Sequence, residues 1–175
     1  MVRIQHKGDA SVLVELTADS LEYADLSNSD LSHAELSRAA LVGINLHGAN
    51  LCDSNLQGAD LSFSDLTGAC LCRAMMNYAN LDTAEMTLTN LIGAVLIGAN
   101  LTGADLYGAD LRGANLASAR LCGADLEGAN LTGADLTDIS FDNTTRWPFD
   151  FAPEIPDVVR QLPETPRQRP PRLVA

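Results

Sequence analysis

The residues of this chain best suited to chemistry are its cysteines, at positions 52, 70, 72 and 122. Thiolates hold soft cations and carry redox and nucleophilic reactions. A structural zinc site wants four tetrahedral ligands. Cys70-x-Cys72 with Cys52 supplies three, and no fourth is evident in the sequence. The cysteines also lack the spacing of a disulfide framework, so the expectation is free thiols in a reducing cytoplasm, with no metal. The histidines, His6, His33 and His47, share no common phase, and His33 and His47 read as surface residues. Gly-x-Ser-x-Gly, His-Glu-x-x-His and Gly-x-x-x-x-Gly-Lys are all missing. No catalytic residue is nominated, no cofactor is expected, and the chain reads as a non-enzyme.

Acidic side chains are the other reactive class. Asp and Glu number 23 against 11 Lys and Arg, a net charge of −12. Residues 142–175 hold five of each sign, which leaves 18 acids against six bases in residues 1–141. Such a chain repels phosphates and has no basic stripe, so direct nucleic-acid binding is disfavoured. No run of 18 apolar residues exists to span a membrane. Met1 to Leu16 lacks the apolar stretch of a signal peptide, and the expected location is the cytoplasm.

The elements that position these residues follow from one rhythm. From Leu16 to Phe141 a large apolar residue falls at every fifth position, 26 times, with Met76, Met86 and Phe141 the only exceptions to leucine. Two residues earlier stands a small residue, Ala in 18 of 23 repeats between Ala24 and Ala134. Between them comes Asp or Asn in most repeats, as in Ala104-Asp105-Leu106. On a helix, a step of five residues turns about 140° net and scatters the leucines around every side. On a flat strand an odd step sends successive leucines to opposite faces. The solution that remains bends the chain at a corner every five residues and stacks the coils about 4.8 Å apart, with every leucine inside. All seven prolines lie at or beyond Pro148, which suits an unbroken ladder before it.

The run Ala-Asp/Asn-Leu-x-x, for example Ala99-Asn100-Leu101-Thr102-Gly103, resembles the pentapeptide-repeat family. The resemblance covers residues 16–141 and implies an all-β fold: a right-handed, four-sided (quadrilateral) parallel β-helix solenoid with 20 residues per coil, here about six to seven coils. Thr145-Arg146-Trp147-Pro148 also resembles the ends of many cyanobacterial members. The expected organisation is an N-terminal cap over 1–15, the β-helix over 16–141, an aromatic cap over 142–162 and a disordered tail over 163–175. Val12, Val14 and Leu16 alternate as a strand and are expected to begin the first coil, with residues 1–10 a loose cap. Trp147, Phe149 and Phe151 are expected to cover the apolar end of the last coil. Pro156 to Leu162 could form one short helical turn.

Twenty residues per coil assign the outer columns. One reads Asp25, Asn45, Asp65, Glu85, Asp105, Asp125, a candidate acidic stripe. Carboxylates about 5 Å apart repel, which predicts raised pKa values and a stability that grows slightly from pH 7 to pH 5 and with salt. The plainer reading is that repeat duplication copies Asp and that charge keeps the rod soluble. A second column-wise feature is a candidate apolar contact patch of Met75, Tyr78, Val95 and Ile97, with Ile92 on a neighbouring face. It is either a lapse in repeat fidelity or a surface for a partner or a homodimer. Cys52 and Cys72 should stack in one outer column.

The first functional expectation is a non-enzymatic structural or protein-interaction scaffold whose partner the sequence does not assign. The alternative comes from the resemblance: some members are acidic DNA-mimic rods that bind a type II topoisomerase such as DNA gyrase, or another DNA-binding protein. Charge and shape suit that alternative. The uninterrupted frame and the Pro-rich tail depart from it, because those members often carry loop insertions and a dimerising C-terminal helix.

Overall fold

The structure, a computed structural model, describes residues 2–16, 20–149 and 151. It is a right-handed quadrilateral β-helix capped at its N-terminal end by a hairpin. The unit of construction is the five-residue repeat, and one repeat shows why the sequence needs each residue type. In the repeat starting at Asn100, the Asn100 N–H donates to the Ala79 carbonyl of the preceding coil (2.9 Å). The Leu101 and Gly103 N–H groups donate forward to Arg120 and Cys122 (2.8 and 2.9 Å), and Ala104 closes the turn onto Leu101 (3.1 Å). One amide, that of Thr102, then remains, and the Asn100 side-chain Oδ1 accepts it (3.3 Å). All five amides are thereby satisfied, as the interior of any stable backbone requires.

Each corner is a β-turn whose third residue has positive φ, the mark of a type II turn. Gly103 (φ 66°) and Thr83 (φ 55°) occupy equivalent corners one coil apart. Gly98 illustrates a second need: a Cβ there would come within 2.7 Å of the Tyr78 ring that lies over it. Parallel bridges then join every residue of the Asp/Asn column to its partner 20 positions on, from Asp25–Asn45 to Arg120–Ser140. This spacing gives four sides per coil. The axial leucines from Leu41 to Leu126, with Met76 and Met86, are buried, as are the alanines beside them. Ala fits because the small column is buried in the core beside the leucines. Where Thr89 or Ser64 replaces it, the hydroxyl donates to a carbonyl, Leu66 O at 2.9 Å and Leu61 O at 2.7 Å respectively.

The N-terminal end differs from the expectation. Strands β1 (Val2–His6) and β2 (Val12–Leu16) form an antiparallel hairpin, and β1 also pairs antiparallel with β3 (Ala34–Glu35) of the first coils. Residues 12–16 therefore belong to the cap instead of opening the first coil, and residues 2–10 are an ordered part of it. Ile4 is the buried plug, 2% exposed, and Leu13 and Val14 pack partly on the same core. The axial series is inward from Leu21 onward.

The C-terminal end differs too. The ladder continues past Phe141 with one extra residue in its last repeat. Asp125 bridges Arg146, 21 positions on, and Leu126 donates to the Arg146 carbonyl (2.7 Å). The Asp142 carboxylate absorbs the insertion by accepting the Gly123 N–H (3.1 Å) and the Thr144 N–H (2.9 Å). Thr145 then fills the small column, with its hydroxyl on the Leu121 carbonyl (2.8 Å). Trp147 follows Arg146 as Leu126 follows Asp125, so it stands at the axial place. Its ring meets Phe141 edge-on at 5.3 Å and Phe151 at 5.2 Å. Phe149 is fully exposed, contrary to its expected place in the lid, and lies within the turn that the Phe151 N–H closes on the Pro148 carbonyl (3.0 Å). The remainder of the expected cap, the helical turn at 156–162 and the tail at 163–175 lie outside the described residues.

Candidate functional site

Three groupings on the outer faces could do more than hold the coils together. The first is the acidic column. Parallel bridges place Asp65 next to Glu85, Glu85 next to Asp105 and Asp105 next to Asp125. In columns that include asparagine, the amide joins neighbouring coils: Asn80 Nδ2 donates to Asp60 (2.9 Å) and Asn100 Nδ2 to Asn80 (2.9 Å). Asn45 likewise donates to Asp25 (3.0 Å) at the start of this column. From 65 to 125 the side chains are all carboxylates, so no amide can play that part.

Two members of the stripe depart from the sequence expectation. Asp125 is 1% exposed, covered by Arg146, whose guanidinium lies 3.0 Å from its Oδ2 and also contacts Glu127. It is a carboxylate buried beneath a solvent-exposed arginine at the rod's end and no part of an exposed stripe. Asp25 has a lowered pKa, not a raised one, because the Ser27 backbone N–H and then its hydroxyl hydrogen-bond the ionised form. That N–H is the fifth amide of the repeat, the same demand met by Asn100. The column was expected to be governed by repulsion, and at Asp25 turn capping governs it instead.

The second grouping is the apolar patch. Met75 bridges Val95 in the adjacent coil, and the Tyr78 N–H donates to Ile97 O (2.9 Å), so these four share one face. Met75 and Tyr78 are exposed, at 40% and 68%, whereas Val95 and Ile97 are half-buried. Ile92 stands apart from them, on the face that carries Cys72: Arg73 N donates to Ile92 O (2.9 Å).

The third grouping is the thiols. Cys52, Cys70 and Cys72 are half-buried, and their sulfurs all lie within 4.8 Å of one another. The Cys70 and Cys72 sulfurs are 3.5 Å apart. Burial pushes Cys52 well up, reinforced by the hydrogen bonds it gives Cys70 and Cys72. Burial also acts upward on Cys70, but hydrogen bonds from Cys52 and from Cys72, with the charge of Arg73, outweigh it and leave that thiol lowered. Sequence reasoning placed Cys52 and Cys72 in one column. It also grouped Cys70 with them, and Cys70, two residues before Cys72, does reach the same point, as Asp60 reaches the Ser62 hydroxyl (2.7 Å). Cys122 lies elsewhere on the rod, with its thiol raised by burial and then by Asp142.

Comparison with known proteins agrees with this architecture. The sequence profile of pentapeptide repeats matches in eight copies, over residues 20–48, 41–77, 54–91, 74–113 and 109–145. No curated protein sequence matches significantly. Among solved structures, the chain is similar to the pentapeptide-repeat protein Rfr23 from the cyanobacterium Cyanothece 51142, at 41% identity over 59% of this chain and 63% of that one, with a TM-score of 0.43. It is also similar to a pentapeptide-repeat protein of the Arabidopsis thaliana thylakoid lumen, at 27% identity over 57% and 66% of the two chains, TM-score 0.45. A third similar structure is QnrB1, a plasmid-mediated fluoroquinolone resistance protein, at 22% identity over 68% and 78%, TM-score 0.35. The chain spans less than two thirds of the length of the first two.

Proposed function

Because this chain belongs to the pentapeptide-repeat family, we propose that it is a non-enzymatic interaction scaffold that engages a protein partner along its outer faces. The inside of the rod is spent on leucine and alanine, and the backbone amides on the ladder. What is left to vary is the outward side chain of each coil, held at a fixed spacing by its neighbours. The observation that carries the reading is the run Asp65, Glu85, Asp105, three acids stacked at adjacent coils on one face. Asn caps the same turns elsewhere, as Asn100 does, so acids in succession are not a requirement of the fold. A basic protein surface is the chemistry that complements them.

The test is affinity capture from native lysate with Asp65, Glu85 and Asp105 changed to their amides. A partner retained by the wild type, released by salt and lost in the triple variant is the expected result. A partner set unchanged by the substitutions would discard the stripe as its docking face.

The net charge of −12 on a rod favours a second reading, a duplex mimic that occupies the DNA-binding surface of a type II topoisomerase. Purified gyrase separates the two. Supercoiling inhibited at micromolar protein, with the inhibition fading as salt rises and in the triple variant, supports mimicry. Unaltered supercoiling supports the scaffold.

A further inference from the structure

From the convergence of three thiols on one outer corner, we propose that Cys52, Cys70 and Cys72 form a binding site for a single soft metal ion, with Cu(I) in trigonal thiolate coordination as its occupant. This site is separate from the acidic face and does not rest on the scaffold reading. Three of the chain's four cysteines meet there, although they come from two coils. The ladder holds them: Leu51 N–H donates to Cys70 O (2.7 Å) and Asp53 N–H to Cys72 O (3.0 Å), which pins the Cys52 backbone beside both.

The geometry suits one ion. A metal–sulfur bond of about 2.3 Å sets three sulfurs roughly 4 Å apart around a central ion. The sulfurs already lie within 4.8 Å of one another, so small side-chain rotations complete the triangle. A disulfide would use two of the three sulfurs and leave the third without a role. The surroundings supply what a thiolate wants. Asn90 Nδ2 lies 3.8 Å from Cys70 Sγ and can donate to it, and the Arg73 guanidinium, held by Asp53 at 2.9 Å, adds positive charge nearby. Ile92, one coil beyond Cys72, is half-buried beside it. No His, Asp or Glu joins the three sulfurs as a fourth ligand among the described residues. A three-sulfur donor set suits Cu(I), whereas zinc prefers four ligands. Binding forms three copper–sulfur bonds and releases the thiol protons to solvent; copper enters and stays as Cu(I), so no electron is transferred.

The test is an anaerobic titration of the reduced, full-length protein with Cu(I) against a chromophoric Cu(I) chelator, read by native mass spectrometry. One copper per chain is expected. Cys52→Ser, Cys70→Ser and Cys72→Ser should each weaken binding at least about 100-fold, and Cys122→Ser should leave it unchanged. The second measurement needs no variant: bound copper should protect Cys52, Cys70 and Cys72, and not Cys122, from alkylation in a peptide map. Failure to form a one-to-one complex at micromolar copper, wild-type binding by Cys72→Ser, or protection that includes Cys122 equally would each overturn the site. Tighter binding of Zn(II) than of Cu(I) would overturn the trigonal assignment.

Discussion

Each residue of the repeat answers a separate demand. Leu fills the axis, Ala fills the buried small column beside it, the corner residue takes positive φ, and Asp or Asn caps the amide two positions on. Leu101 is wholly buried, so Leu101→Ala should cost about 2–5 kcal/mol of stability in urea unfolding. A cost under about 0.5 kcal/mol would mean that the leucine is not in a packed interior. Ser54 gives the opposite prediction. It sits in the alanine column, fully buried, and its hydroxyl has no hydrogen-bond partner among the described residues. Ser64 and Thr89 solve the same problem by donating to carbonyls. Ser54→Ala should therefore stabilise the protein by about 1 kcal/mol, because it removes an orphaned polar group. The same urea titration reads it, and a loss of stability would show that the hydroxyl is satisfied in solution.

The two ends are where elements depart from the repeat. A solenoid passes stability from neighbour to neighbour, so its ends need separate protection. The hairpin of β1 and β2 does this at one end with Ile4. At the other end Trp147 takes the axial place, its ring edge-on to Phe141. Leu131 and Leu136, in the last coil, are only half-buried, whereas Leu126 beneath them is fully covered. Trp147→Ala should then loosen the end without melting the rod. Hydrogen exchange should quicken at the Leu121 and Leu126 amides, which donate to Ser140 and Arg146, and stay slow at Leu81 and Leu101. Uniform acceleration along the chain would instead mean that the rod unfolds as one unit.

At the scale of the whole molecule the question is how a rod of net charge −12 tolerates its own charge. Many of its carboxylates serve the fold as hydrogen-bond acceptors. Asp25 is lowered by the Ser27 N–H and hydroxyl, Asp30 by the Ser32 hydroxyl and N–H, and Asp135 by the Thr137 hydroxyl and N–H. Asp110 is lowered by the Arg112 side chain. A folded pKa below the unfolded value means that the unfolded chain takes up protons first on acidification. The stability these groups contribute is full above the ordinary Asp value of 3.8 and is lost as pH falls through their lower folded values. Their contribution to the urea midpoint should be level from pH 7 to pH 5 and should fall below about pH 4. A midpoint that climbs between pH 7 and pH 5 would show repulsion prevailing over capping.

A period of five determined a good deal without any coordinates. It excluded helix and flat strand and sent Leu21 through Leu126 to a common interior, from local spacing repeated often enough to be unambiguous, whereas placing Asp65, Glu85, Asp105 and Asp125 in one column needed the 20-residue coil that the family resemblance implied. What tertiary structure alone decided lies where the repetition stops or where two coils meet. The Val2–His6 and Val12–Leu16 hairpin, the extra residue that carries Trp147 into the axis, the outward Phe149 and the covered Asp125 are end effects, and an end is defined by what it packs against. The meeting of Cys52 with Cys70 and Cys72 depends on side chains from two coils turning to the same point. Periodicity states which column a residue occupies, and only packing across the ladder states which neighbours its atoms touch.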